Sequence, residues 1–151
     1  MYKKMLVPLD ASEYAECTLN HVKEVASAHN VDEVDLLTVV EPPRSSAVAY
    51  LGSDRTEELN REAKDSALEY LAKTKDRLNL DSNVKTVVVG AQPAEGILSY
   101  ADESGSDLIV MSSHGLSGPS KWFMGSVSEK VLQRSPVPVF LIPSPQCRLA
   151  Q

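Results

Sequence analysis

The sequence predicts an α/β fold, a single five-stranded parallel sheet with helices on both faces. Short apolar runs recur along the whole chain. Between them lie segments whose apolar residues repeat at helical spacing. Prolines, glycines and small polar residues mark the changeovers. Strands that alternate with helices need crossovers, and right-handed crossovers make the sheet parallel.

Each element can be justified in order. Lys4 to Leu9 (KMLVPL) opens the sheet, with Pro8 where the ladder is ending and no amide donor is needed. Asp10-Ala11-Ser12-Glu13 caps a helix, with Asp10 as the expected N-cap. Ala15, Leu19, Val22 and Ala26 give that helix its inner face, and Asn30 ends it. Val34 to Val40 is the second strand. Glu41 to Ser53 (EPPRSSAVAYLGS) reads as a long loop, either a plain surface excursion or a functional segment. Leu59, Ala63, Ala67, Leu71, Thr74 and Leu78 form the stripe of a long helix with a solvated, mixed-charge outer face. Val84 to Val89 is the third strand, ended by Gly90. Pro93 suits a first helical position, and Ala94, Ile97, Leu98 and Ala101 face inward until Gly105. Leu108 to Met111 is a strand apolar on both faces, as a central parallel strand should be. Val127, Val131 and Leu132 anchor the last helix, and Val137 to Ile142 is the fifth strand.

The composition narrows the function. The chain has 151 residues, 42% of them hydrophobic, enough for one domain with a real core. Its net charge of −6 gives no overall attraction to nucleic acid or to an anionic membrane. No apolar run is long enough to span a bilayer, and MYKK leads straight into a strand with no signal peptide, so the expected location is cytoplasmic. Cys17 and Cys147 form neither a disulfide framework nor a zinc pattern and are expected to be reduced thiols.

The stretch Asp107 to Ser128 concentrates the chemistry. A strand end is followed by Ser112, Ser113, His114 and Gly115, then nine residues, then Gly125-Ser126. Ser126-Val127-Ser128-Glu129 has the letters of a capping box. A small-residue turn at a helix N-terminus presents free amides to an anion, so phosphate is the natural ligand. An ordinary loop before an ordinary helix has the same letters. The first strand-to-helix turn has no glycine, which excludes a dinucleotide fingerprint, and no P-loop occurs. In this fold class, ligands bind beyond the carboxyl ends of the strands where strand order reverses. If the first and fourth strands are neighbours, Asp10 and the Ser112–Gly115 turn line one crevice. His114 has no obvious partner for general-base work, His21 and His29 are expected to face solvent, and Lys121 reads as a solvated lysine. Trp122 and Phe123 either pack under the loop or meet a partner.

These residues resemble the universal stress protein family. Its nucleotide-binding members carry G-x-x-G, nine residues, then G-[S/T], and the match here is Ser112-Ser113-His114-Gly115 followed by Gly125-Ser126. MLVPLDASEYAE, LLTVVEP, GAQPAEGI and SPVPVFLIP extend the resemblance over nearly the whole chain, so that residues 1–151 are expected to be one such domain. The resemblance implies strand order 3-2-1-4-5, in the adenine nucleotide alpha hydrolase-like arrangement. It implies ATP, AMP or ADP in the crevice, with Mg²⁺ accompanying the nucleotide. Pro8, Leu9 and Asp10 would lie at the adenosine end, Val39 would offer its main chain to adenine, and Met111 would pack nearby. Ser112, Ser113, His114 and Gly115 would border ribose and phosphates. Gly125, Ser126, Val127 and Ser128 would cradle the phosphates. The departure is Ser112, where the motif opens with glycine; a positive φ there would cost serine about 1 kcal/mol or more.

The resemblance further implies a homodimer formed through the fifth strand, Val137 to Ile142, whose apolar edge needs covering. The expected role is a sensor or regulator of stress response acting on an unknown downstream protein. With no P-loop lysine, no paired carboxylates for metal and no motif-loop arginine, any ATP hydrolysis is expected to be slow and no residue is assigned as catalytic. The alternative is a UspA-like module that binds no ATP and works through protein partners.

Overall fold

A computed structural model describes residues 1–114 and 124–143. The elements run β1 (Lys4–Pro8), α1 (Glu13–His29), β2 (Glu33–Val40), α2 (Ser45–Leu51), α3 (Ser53–Leu78), β3 (Asn83–Gly90), α4 (Pro93–Ser104), β4 (Leu108–Ser112), α5 (Ser126–Arg134) and β5 (Val139–Ile142). The sheet order is β3-β2-β1-β4-β5, and every neighbouring pair is parallel. The chain leaves β1 toward β2 and β3, then crosses back to β4 on the other side. Strand order therefore reverses at the β1–β4 junction, where Leu6 pairs with Ile109.

The two-residue period of the strands divides the core into two layers. Met5, Val7, Val34, Leu36 and Val110 pack against α1 and α3, which supply Leu19, Val22, Leu71 and Leu78. Leu6, Leu37, Ile109 and Met111 pack against α4 and α5, which supply Ile97, Ala101 and Val131. This is why the inner strands read as unbroken apolar runs.

Several expectations need correction. The loop after β2 contains α2. No side chain of α2 is buried, so it has no amphipathic stripe to betray it. Gly52, at φ +84, separates it from α3, a backbone conformation natural to glycine. The expected stripe of α3 holds only from Ala67 onward; Leu59 is 38% exposed, and Thr56 is the buried residue of the first turns. Leu132 is 45% exposed and does not anchor α5. The N-cap of α1 is Ser12, whose Oγ accepts from the Ala15 amide at 3.1 Å, while Asp10 accepts from the Ser12 amide at 3.1 Å. His21 and His29 are not simply solvated, since their rings meet Phe140 and Tyr2. Cys17, expected as a reduced thiol, is disulfide-bonded; Cys147 lies outside the described residues. Among the described residues, no helix is long and apolar enough to cross a membrane.

Candidate functional site

The site begins where β1 stops. The Leu9 amide donates to the Leu37 carbonyl at 2.8 Å, the last rung between these strands, and Thr38 Oγ1 closes the strand end by donating to the Leu9 carbonyl at 2.9 Å. β2 continues to Val40. Alternate residues of a central strand address opposite neighbours, and the Val40 carbonyl is taken from the β3 side by the Ala91 amide. Val39 therefore turns its amide and carbonyl toward the side that β1 has vacated. The turn after β1 carries Ala11 at φ +62, a left-handed conformation that is uncommon for a residue with a side chain.

The opposite wall comes from β4 and α5. The Ser113 amide donates to the Ile142 carbonyl at 2.9 Å, which carries β4 to its end beside β5. Ser112 Oγ donates to the His114 carbonyl, and Ser113 Oγ lies 2.9 Å from His114 Nδ1. The Gly125 amide donates to the Ser113 carbonyl at 2.9 Å, so residues 113 and 125 meet. A Cβ on Gly125 would lie 3.1 Å from that carbonyl, so close approach rather than an unusual φ calls for glycine. Gly125 is the N-cap of α5 and gives no side-chain cap. The expected capping box does not form, because the Glu129 amide donates to the Gly125 carbonyl. That is the first intrahelical bond, so the helix supplies no acceptor for the amides of Ser126, Val127 and Ser128.

Together these walls enclose a cavity of about 460 Å³, a usual size for a small-molecule pocket. Of the expected site residues, Pro8, Leu9, Asp10, Val39, Met111, Ser112, His114, Gly125, Ser126, Val127 and Ser128 line it. Ser113 is buried and is not part of the lining. Gly115, Lys121, Trp122 and Phe123 fall outside the described residues. Ala15, Leu37, Glu41, Pro93 and Ile97 also line the cavity, although the sequence reading did not assign them to it. Pro93 and Ile97 could have been found: a helix that starts at the carboxyl edge of the sheet brings its first turn to the crevice. Leu37, Val39, Pro93, Ile97 and Met111 make one end apolar, and the start of α5 makes the other polar.

The described lining contains no lysine or arginine; its carboxylates are Asp10 and Glu41. Among the described residues no group of three metal-binding side chains occurs. The feared strain at Ser112 is absent, since it ends β4 and is not among the non-glycine residues with positive φ. Strong electrostatic perturbation lies elsewhere. Lys4 and Lys85 hold Glu33 down at about 2, and burial, reinforced by Glu16, pushes the Tyr70 hydroxyl up to about 12.

The model of the universal stress protein family matches residues 1–143. The chain belongs to the universal stress protein family. Universal stress protein MJ0577 of Methanocaldococcus jannaschii is 32% identical over 94% of this chain and 95% of its own length. A solved structure of a hypothetical protein with the same designation superposes with TM-score 0.82 at 33% identity, covering 95% of this chain and 96% of that one. Two more distant universal stress proteins share the fold. One was solved in complex with cAMP (22% identical, TM-score 0.64, covering 93% of this chain and 96% of that one). The other, from Arabidopsis thaliana, was solved with AMP bound (16% identical, TM-score 0.64, covering 93% and 91%). This universal stress protein has the strand order that the resemblance implied.

Proposed function

We propose that the crevice binds an adenine nucleotide, ATP with Mg²⁺ or AMP or ADP, and that the protein is a nucleotide-responsive regulator of stress response. The observation that carries this reading is a single cavity joining an apolar slot to the start of α5. A purine is flat and apolar on its faces, and its edge pairs with a main-chain amide and carbonyl such as those of Val39. Phosphates suit the first-turn amides of α5, which need acceptors and lie at the positive end of the helix dipole. The bound cAMP and AMP of the two fold relatives support the same ligand class.

Mg²⁺ fits this site as a companion of the nucleotide. Magnesium usually takes one or two carboxylates and leaves its other positions to phosphates and water. Asp10, which lines the cavity, would serve it. The ion would supply charge neutralisation that the described lining lacks. No residue is proposed as catalytic, and hydrolysis is expected to be slow.

The protein works in the cytoplasm as a homodimer of one-domain chains paired along Val137–Ile142. Phe140 is 44% exposed on that strand, apolar area that a second copy would cover. A downstream protein would read the nucleotide state.

The test is titration of ATP·Mg²⁺ while following the emission of Trp122, the one tryptophan of the chain, with calorimetry in parallel. Saturable binding in both supports the reading. No binding at millimolar ATP in either would sink it and favour a module that works through protein partners alone.

A further inference from the structure

Ser128 stands out because its side chain is already engaged where the motif would have it face phosphate. It is 3% exposed. Its Oγ donates to the Ser113 carbonyl at 2.7 Å and also lies 2.8 Å from the Gly125 carbonyl. The Gly125 amide reaches the same Ser113 carbonyl at 2.9 Å. Three groups thus converge on one point, where β4 ends and α5 begins, and close the ends of the excursion between residues 113 and 125. A hydroxyl has one proton, and here two carbonyls already compete for it.

We infer that Ser128 is a positioning residue: its hydroxyl staples the exit of β4 to the first turn of α5 and so aims the amides of Ser126 and Val127 into the cavity. This rests on the nucleotide reading for its functional consequence, but the staple itself does not need a ligand. Gly125 gives α5 no side-chain cap, and the Ser128 hydroxyl bonds across this junction in its place. Without it, the described tie between the β4 exit and the first turn would be the Gly125 amide. The amides would then sample more directions, and an anion would have to order them on binding. The purine end, built from β2 and α4, would not be affected.

The experiment uses Ser128→Ala and Ser128→Thr in the full chain. The alanine variant should fold, since the Ser113 carbonyl keeps the Gly125 amide and the Gly125 carbonyl keeps the Glu129 amide. In the nucleotide-free protein, exchange of the Gly125 amide should quicken about tenfold in Ser128→Ala, the scale of one lost hydrogen bond, and return toward the parent rate in Ser128→Thr. By calorimetry, ATP should bind Ser128→Ala about tenfold more weakly. Adenosine, which has no phosphate, should lose less than about twofold, and threonine should restore ATP. Equal losses for ATP and adenosine would show a merely structural role and overturn the inference. Unchanged exchange would overturn the staple. If the parent protein binds neither ligand, the nucleotide reading falls, and the exchange rates alone still decide whether Ser128 holds the turn.

Discussion

The sharpest stability prediction concerns the carboxylate buried in the sheet. Asp35 lies on β2 with 0% exposure. Its Oδ2 receives the Tyr100 hydroxyl at 2.9 Å and the Lys4 ammonium at 3.1 Å, while its Oδ1 has no hydrogen-bond partner. Burial, then the bond to Asp35, pushes the Tyr100 hydroxyl up to about 12, so it remains a donor. Lys4→Met keeps the apolar stem but leaves the Asp35 charge without its counter-ion. Removing one partner of a buried pair costs about 3–5 kcal/mol. For a chain of this length, that should lower Tm by about 6–20 °C. The assay is thermal and urea unfolding of Lys4→Met, Asp35→Val and the double variant. Lys4→Met also removes one of the two lysines paired with Glu33, which keeps Lys85 at 2.6 Å, so the share due to Asp35 is read from the difference between Lys4→Met and the double variant. The double variant should be more stable than Lys4→Met alone, because both charges are gone, although the Tyr100 hydroxyl then lacks its acceptor. A loss below about 1 kcal/mol in Lys4→Met, or simple additivity in the double variant, would refute the reasoning.

Three further outcomes are expected. Ala11→Gly relieves a left-handed φ of +62; less the added freedom of glycine in the unfolded chain, it should raise stability by about 0.5 kcal/mol in urea unfolding. Lys4 and Lys85 lower Glu33 from 4.5 to about 2, so its contribution is complete above about pH 4.5 and disappears as pH falls toward 2. Glu33→Gln should therefore flatten the acid limb of a Tm-versus-pH curve, and an unchanged limb would count against this. Phe140→Asp places a charge on the exposed side of β5 and should convert the proposed homodimer to monomer in sedimentation velocity, while far-UV circular dichroism stays unchanged.

What could be read from the sequence followed from burial. The strands of the sheet and the inner faces of α1 and α4 were legible because two apolar layers impose their periods on the letters. Polar capping was not legible to the residue. Asp10-Ala11-Ser12-Glu13 offers two capping side chains, and only the left-handed Ala11 makes Ser12 the cap and Asp10 its support. In the same way Ser126-Val127-Ser128-Glu129 has the letters of a capping box, yet the N-cap of α5 falls one residue earlier, at Gly125, which the Ser113 carbonyl holds in place. α2 was hidden because a helix that buries nothing has no pattern to display. The crevice was legible in outline because strand order places Asp10 beside Ser112. The contribution of Pro93 and Ile97 depends on how closely α4 approaches β2, and that is set by Gly96. A Cβ there would come within 2.8 Å of Val39.

The charge of the described lining sharpens what kind of nucleotide site this would be. A site that holds phosphates with lysine or arginine binds them as ions and loses affinity steeply with salt. Here the described lining offers amide dipoles at one end and the carboxylates of Asp10 and Glu41. Two carboxylates would repel a bare triphosphate. A divalent cation carried with the nucleotide would offset that repulsion. The amides of α5 are fixed in the fold and undergo no protonation near neutral pH. Affinity built on them should depend on their aim more than on ionic strength. The hydroxyl of Ser128 and the close approach allowed by Gly125 both act on that aim. Neither residue carries charge, and both lie at the one junction where β4 delivers the chain to α5.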